Sequence, residues 1–115
     1  MAVTAAVQLG WLGTSGLVEV ATRCARATRY ARDAVLTVDG VTPWADAPVL
    51  REFAVRLPRP ADQVIERMAD AGFLAGISLE GAVDGGEDGL LVAVTERRTA
   101  EQIDAYAAAL AKAVA

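Results

Sequence analysis

The chain of 115 residues has no histidine, one cysteine and one lysine, and each shortage removes a class of chemistry. Without histidine there is no side chain whose ordinary pKa lies near neutrality, and no imidazole to ligate a metal. Cys24 cannot form an internal disulfide, and its position in an apolar stripe reads as a buried thiol rather than a nucleophile. Lys112, near the end of a helical pattern, reads as a charge at a helix carboxyl terminus and not as a desolvated amine for imine chemistry. Long apolar runs are also missing: none approaches the roughly 20 residues that span a bilayer. The opening MAVTAAVQLGWLG has neither the basic start nor the continuous apolar core of a secretion signal. These absences lead to the expectation of a cytoplasmic protein with no metal, no membrane and no nucleic-acid partner.

What charge there is falls unevenly. Residues 1–57 carry six arginines against five carboxylates, whereas residues 58–115 carry five cations against ten. Four of the arginines, Arg23, Arg26, Arg29 and Arg32, recur at steps of three and so drift around a helix instead of forming one stripe. Glu19 and Asp33 stand four residues from Arg23 and Arg29, the spacing of helical ion pairs. A solvated, partly paired face and a surface for phosphate or an acidic partner both fit this pattern.

Along the chain, residues 2–9 form an Ala-rich segment that ends at Gly10 and Gly13 and suits a short helix. Its sparse polar surface looks like the end of a helix packed on something else, which divides the chain into residues 1–13, a linker or the end of a large-domain helix, and residues 14–115, a small domain. Thr14 or Ser15 can start a second helix in which Leu17, Val20, Ala21, Cys24, Ala27, Thr28, Ala31, Ala34 and Val35 share one apolar face. Val38 to Val41 reads as a turn or short edge strand, and TPWADAP as a rigid connector in which Trp44 plugs the core. Residues 52–57 alternate, with Phe53, Val55 and Leu57 facing inward. Pro60 suits the first position of a third helix, with Ala61, Val64, Ile65, Met68 and Ala71 inward and Gly72 as a left-handed cap. A second strand, interrupted by Gly76, is expected over Phe73–Leu79, followed by a flexible acidic loop at 81–89. In the strand 90–95, residues 90–94 are apolar in succession, the mark of a central strand that needs cover on both faces, the second from a missing partner or domain since the helices lie on one side. Thr99 and Gln102 form a capping box for a last helix with Ile103, Tyr106, Leu110 and Val114 inward. This order predicts a two-layer α+β domain with a three- or four-stranded, mainly antiparallel sheet covered by helices.

No cluster of nucleophile, base and orienting group appears, so no catalytic, cofactor-binding or metal-binding residue is assigned. The turn Thr95-Glu96-Arg97-Arg98-Thr99 is the one place where a rigid strand presents chemistry. An arginine there could clamp a carboxylate or phosphate through two parallel hydrogen bonds, with Arg97 first and Arg98 and Arg56 behind it. The alternative is that Glu96 and the arginines pair locally and the turn only connects.

Three ordered blocks carry a resemblance. REFAVRLP at 51–58, GFLAGISL at 72–79 and LLVAVTERRTAEQID at 90–104 resemble the carboxyl-terminal region of subunit 1 of the two-subunit glycine dehydrogenase (decarboxylating), the P-protein of the glycine cleavage system. AAVQLGWLGTSGLVEVA at 5–21 resembles the passage that joins its large domain to its small one, while VDGVTPWADAP at 38–48 and the acidic stretch 80–89 depart from the family. The resemblance implies the small carboxyl-terminal domain of a type I pyridoxal-phosphate (PLP) enzyme. It implies support of glycine decarboxylation, with aminomethyl transfer to the lipoyl group of H-protein. It further implies a partner, glycine dehydrogenase subunit 2, whose large domain binds the PLP, so that this chain holds no cofactor and is inactive alone. Self-association through an uncovered face is a second expectation. A regulatory or protein-interaction domain without catalysis is the alternative to the whole reading.

Overall fold

The computed structural model describes residues 1–115, and its sheet is organised around the last strand in the sequence. The elements are α1 (Ala2–Val35), β1 (Thr42–Pro43), β2 (Glu52–Arg56), α2 (Ala61–Asp70), β3 (Ile77–Ser78), β4 (Gly89–Ala93) and α3 (Ala100–Val114). The strands lie in the order β1-β2-β4-β3 and every neighbouring pair is antiparallel. The three helices cover one face of this sheet, giving the expected two-layer α+β domain.

The core follows from strand alternation meeting helical stripes. Phe53, Val55 and Leu57 from β2 and its continuation, with Leu90, Val92 and Val94 from β4 and its continuation, point to the helical side and are buried. Val64 and Met68 of α2, Leu110 of α3 and Val35 of α1 close over them with no solvent exposure. Burying such side chains contributes about 1.5–3 kcal/mol each. Ala71, expected on the inward stripe of α2, is exposed, because the helix ends there. Gly72 takes φ 89° at that point. Its N–H bonds the Ala69 carbonyl and the Phe73 N–H bonds that of Met68, the double closure of a left-handed cap.

β4 is central, as its composition implies, but only one of its faces is covered. Leu91 is half-buried and Ala93 exposed, and Ile77, paired with Leu91 across β3, is 67% exposed. The reason is topological: all three helices pack on the same side, leaving nothing for the other. One corner of the open face has local cover. There Trp44, on the chain after β1, lies 3.9 Å from the Arg56 guanidinium in a cation–π contact. A Cβ at Gly89 would come within 2.9 Å of both Trp44 and Leu79, so only glycine lets these side chains close over the strand. Trp44 therefore caps the outer face and does not plug the helix-side core. The connector expected at 42–48 starts instead with β1, where Pro43 sits on the sheet edge and need not donate to the ladder.

The strand expected over Phe73–Leu79 shrinks to Ile77–Ser78. Phe73 is held by the cap of α2, and the Tyr106 hydroxyl donates to the Ala75 carbonyl at 2.8 Å, which draws the segment toward α3. Gly76 takes up the change of direction with φ 153°. At the other end of the chain, α1 breaks at Gly13 (φ 65°, ψ −177°), while Gly10 remains helical. Beyond that break Val3, Val7 and Trp11 are exposed, Trp11 at 86%.

Gly76 gives a direct test of the turn. A Cβ there would stand 2.2 Å from the Leu91 carbonyl oxygen in a backbone conformation that L residues rarely adopt. We expect Gly76→Ala to destabilise the domain by about 2–4 kcal/mol, combining backbone strain with displacement of β3 from β4. Urea denaturation measures this, and a loss below about 0.5 kcal/mol, the range of an ordinary surface change, would show that the close approach is not structural.

Candidate functional site

The turn that follows β4 is fixed from three directions. Antiparallel pairing with β2 continues one residue past the strand, where the Val94 N–H donates to the Arg51 carbonyl at 2.8 Å. On the far side α3 begins with a complete capping box: Gln102 N–H donates to Thr99 Oγ1 at 3.2 Å and Thr99 N–H to Gln102 Oε1 at 3.1 Å. From below, α1 supplies the third set of bonds. The buried Thr28 hydroxyl donates to the Cys24 carbonyl at 2.8 Å and lies 3.5 Å from the Val94 carbonyl. Tyr30 Oη donates to Asp104 Oδ1 of α3 at 2.8 Å, a bond whose carboxylate partner pushes the phenol pKa upward.

Glu96 is held by the same helix. The buried Cys24 thiol donates to Glu96 Oε2 at 3.2 Å, and this bond is the main reason the carboxyl titrates below its ordinary value. A hydrogen bond from its own backbone and, to a lesser degree, the nearby charges of Arg51 and Arg97 lower it further, against the opposing effect of desolvation. The expected local pairing of Glu96 with the turn arginines is thus replaced by a thiol–carboxylate bond across 72 residues of sequence. Neither Cys24 nor Arg51 stood out as a site residue in the sequence. Cys24 carried only the signal of an apolar helix face, and Arg51 stands one residue outside the β2 alternation.

Arg97 and Arg98 share this turn, both exposed and neither within ion-pair distance of a carboxylate. Arg98 lines a groove of about 470 Å³ between β4, α3 and the segment after α2. Arg51 lines a shallower cleft of about 600 Å³ on the other side of the β4 end, with Glu52 and Thr95. Arg56 lies elsewhere. It pairs with Gly89 at the opposite end of β4, about 20 Å away at ~3.3 Å per strand residue. There it bonds Asp88 Oδ1 at 2.9 Å as well as stacking on Trp44. The structure therefore brings Arg97 and Arg98 together and leaves Arg56 in a separate, internally paired cluster.

On α1, Arg23 pairs with Glu19, as the spacing implies, whereas Arg29 and Asp33 do not form an ion pair. Arg26, Arg29 and Arg32 instead line a cleft with Asp33 and Asp46. No group of three His, Cys, Asp or Glu side chains is placed to hold a metal ion, and no helix is long and apolar enough to cross a membrane. The residues present do not fit a PLP site. Lys112, the one amine side chain, is exposed in the last turn of α3, about 20 Å from the arginine turn at 1.5 Å per helical residue.

The class that the fold defines is a small two-layer α+β domain, and comparison with known proteins makes the relation specific. The chain is 43% identical over 109 residues to the probable glycine dehydrogenase (decarboxylating) subunit 1 of Chlorobium chlorochromatii (strain CaD3), covering 95% of this chain and 24% of that protein. The namesake from Methylococcus capsulatus (strain ATCC 33009 / NCIMB 11132 / Bath) is 38% identical over 112 residues, covering 97% of this chain and 25% of its own length. Among solved structures, an inhibitor-bound glycine decarboxylase (P-protein) of the glycine cleavage system superimposes with a TM-score of 0.84 at 32% identity, over 94% of this chain and 24% of that one. No family model matches the sequence. The chain is thus similar over nearly its whole length to glycine dehydrogenase subunit 1, the family its three sequence blocks resemble, and it spans about a quarter of the length of those relatives.

The thiol–carboxylate bond has a pH signature. A folded-state pKa below the unfolded value means that Glu96 adds stability above the unfolded carboxyl pKa, and that this stability is lost as pH falls through the folded value. We expect Glu96→Gln to be less stable than the parent chain at pH 7 and the gap to close as pH drops below the ordinary carboxylate range. Thermal denaturation of both proteins from pH 7 to pH 2 checks this; a gap that does not change with pH would mean that the ionised carboxyl is not the stabilising form.

Proposed function

We propose that this chain is the carboxyl-terminal small domain of a glycine dehydrogenase subunit 1, and that it supports PLP-dependent glycine decarboxylation without performing it. The observation that carries this reading is the pairing of near-complete similarity with partial length: almost every residue here has a counterpart in proteins about four times as long. The uncovered sheet face supports it physically. Ala54, Leu91, Ile77 and Ala93 present apolar surface on a side where this chain supplies no helix, and the remaining three quarters of a subunit 1 would offer cover. Residues 1–13, set off by the break at Gly13 and carrying the exposed Val3, Val7 and Trp11, are the segment that would lead into that larger part.

In this reading PLP and its imine-forming lysine belong to glycine dehydrogenase subunit 2, and the aminomethyl group passes to the lipoyl arm of H-protein within that assembly. The domain's own contribution is to hold the turn after β4 rigidly, with Arg97 free to contact a carboxylate or phosphate in the complex. In the absence of the larger part, the open face gives the chain a tendency to self-associate.

Two experiments test the proposal. In the first, residues 1–115 replace the matching quarter of the Chlorobium subunit 1, and the hybrid is combined with subunit 2 and H-protein. We expect glycine–bicarbonate carboxyl exchange within about tenfold of the parent complex, and none from residues 1–115 alone; exchange by the isolated chain, or a hybrid that cannot assemble, sinks the reading. In the second, Arg97→Ala in the hybrid is expected to lower kcat/KM for glycine roughly 10- to 100-fold, the loss of one charge-assisted contact. Unchanged kinetics and unchanged assembly would remove Arg97 from any role.

A further inference from the structure

The groove beside Arg98 combines three features that point to one kind of occupant, and they do not depend on the assembly proposed above. The first is an unpaired strand edge. Because Val94 bonds Arg51, the N–H and C=O groups of Ala93 face away from β2. They point to the edge that β3 would occupy had it continued to Ala75. Gly76 turns the chain away, the Ala75 carbonyl is taken by Tyr106, and no backbone hydrogen bond joins Ala75 to Ala93. Second, the walls are apolar. The edge-to-face pair of Phe73 and Tyr106, with centroids 6.0 Å apart, forms one side, and Leu74 at the lip is 98% exposed. Third, Arg98 stands past the carboxyl end of β4 with no carboxylate partner, in a chain whose net charge is −4.

We propose that this groove binds an extended segment of a partner protein by strand addition. The segment continues the line of β3 antiparallel to β4, places an apolar side chain between Phe73 and Tyr106 on one side and Val92 and Val94 on the other, and sets an acidic residue at its amino end against Arg98. The polarity is dictated by the sheet. An antiparallel segment begins where β4 ends, and that is the end at which Arg98 stands. Ala93 supplies one donor and one acceptor to the incoming backbone, and the exposed Leu74 closes over it. Main-chain bonds of this kind give affinity with little sequence demand, and the alternate side chain and the charge give selectivity.

The test uses the chain of residues 1–115 labelled with nitrogen-15 and, as probe, an N-acetylated pentapeptide amide of aspartate followed by alternating valine and threonine. We expect saturable shifts centred on the Ala93 amide and the Phe73 and Tyr106 signals. Two versions of the probe, N-methylated at alternate residues in the two possible phases, should differ more than tenfold in affinity, since only one phase blocks the bonds to Ala93. Replacing the probe aspartate by asparagine should weaken binding roughly tenfold in the parent chain and have no effect in Arg98→Ala, whose exposed site leaves the fold intact. Equal affinity for the two N-methylated probes, or no saturable shift at Ala93, overturns the proposal. So does a shift of the Phe73 and Tyr106 signals that grows with chain concentration in the absence of peptide, which would make a second copy of the chain the occupant of the groove.

Discussion

The one-sided burial of β4 is the constraint on which the rest of the structure depends. Leu90, Val92 and Val94 form the inward row of the central strand over which all three helices close, with α3 packed directly on both α1 and α2. Moving the register of β4 by one residue would exchange this row for Gly89, Leu91 and Ala93, a smaller and looser surface, so the pairing with β2 is strongly specified. The cost is that the opposite face keeps no helix. Trp44, Arg56, Asp88 and Leu79 protect one corner of it around Gly89, and the remainder stays open.

The same geometry explains which parts of the fold could be read from the residues. Elements whose signals are local came through: the alternation of Glu52–Leu57, the left-handed cap at Gly72 and the Thr99–Gln102 box are each set by neighbours within a few positions. The strand expected over Phe73–Leu79 failed for a non-local reason. Its first half is drawn off by a hydroxyl on α3, 31 residues away. The unbroken apolar run of β4, by contrast, signalled a second face that the chain's own helices do not cover, and Leu91 and Ala93 are left open there. Trp44 was misplaced because its partner, the Arg56 guanidinium, comes from a neighbouring strand.

At the candidate site the balance is similar. The sequence marked the arginine turn by its position after an apolar strand, and the structure gives that turn a rigid base. The component it concealed was the support from α1: Cys24 to Glu96, Thr28 to Val94 and Tyr30 to Asp104 are side-chain contacts between segments more than 60 residues apart. A cysteine that seemed inert because it was buried is the donor that fixes the only acid in the turn. Held by the thiol, Glu96 forms no direct ion pair with Arg97 or Arg98, although the nearby Arg97 charge still favours its ionised form.

This division of labour separates the two ends of β4. At its beginning Arg56 is consumed internally, by Trp44 and Asp88, and its charge serves to stabilise the sheet corner. At its end the acid of the turn, Glu96, is bound to a thiol, and the two arginines of the turn are left without carboxylate ion-pair partners. Leaving two exposed cations unpaired costs little in water, where a surface ion pair contributes only about 0–1 kcal/mol. In a dry interface the same cations would be expensive unless an anion met them. A partner that covers this end of the sheet must therefore bring negative charge with it, whereas one that covers the Trp44 corner need not. The unequal treatment of arginines on one small sheet thus sets the chemical orientation in which the domain can be packed against anything larger.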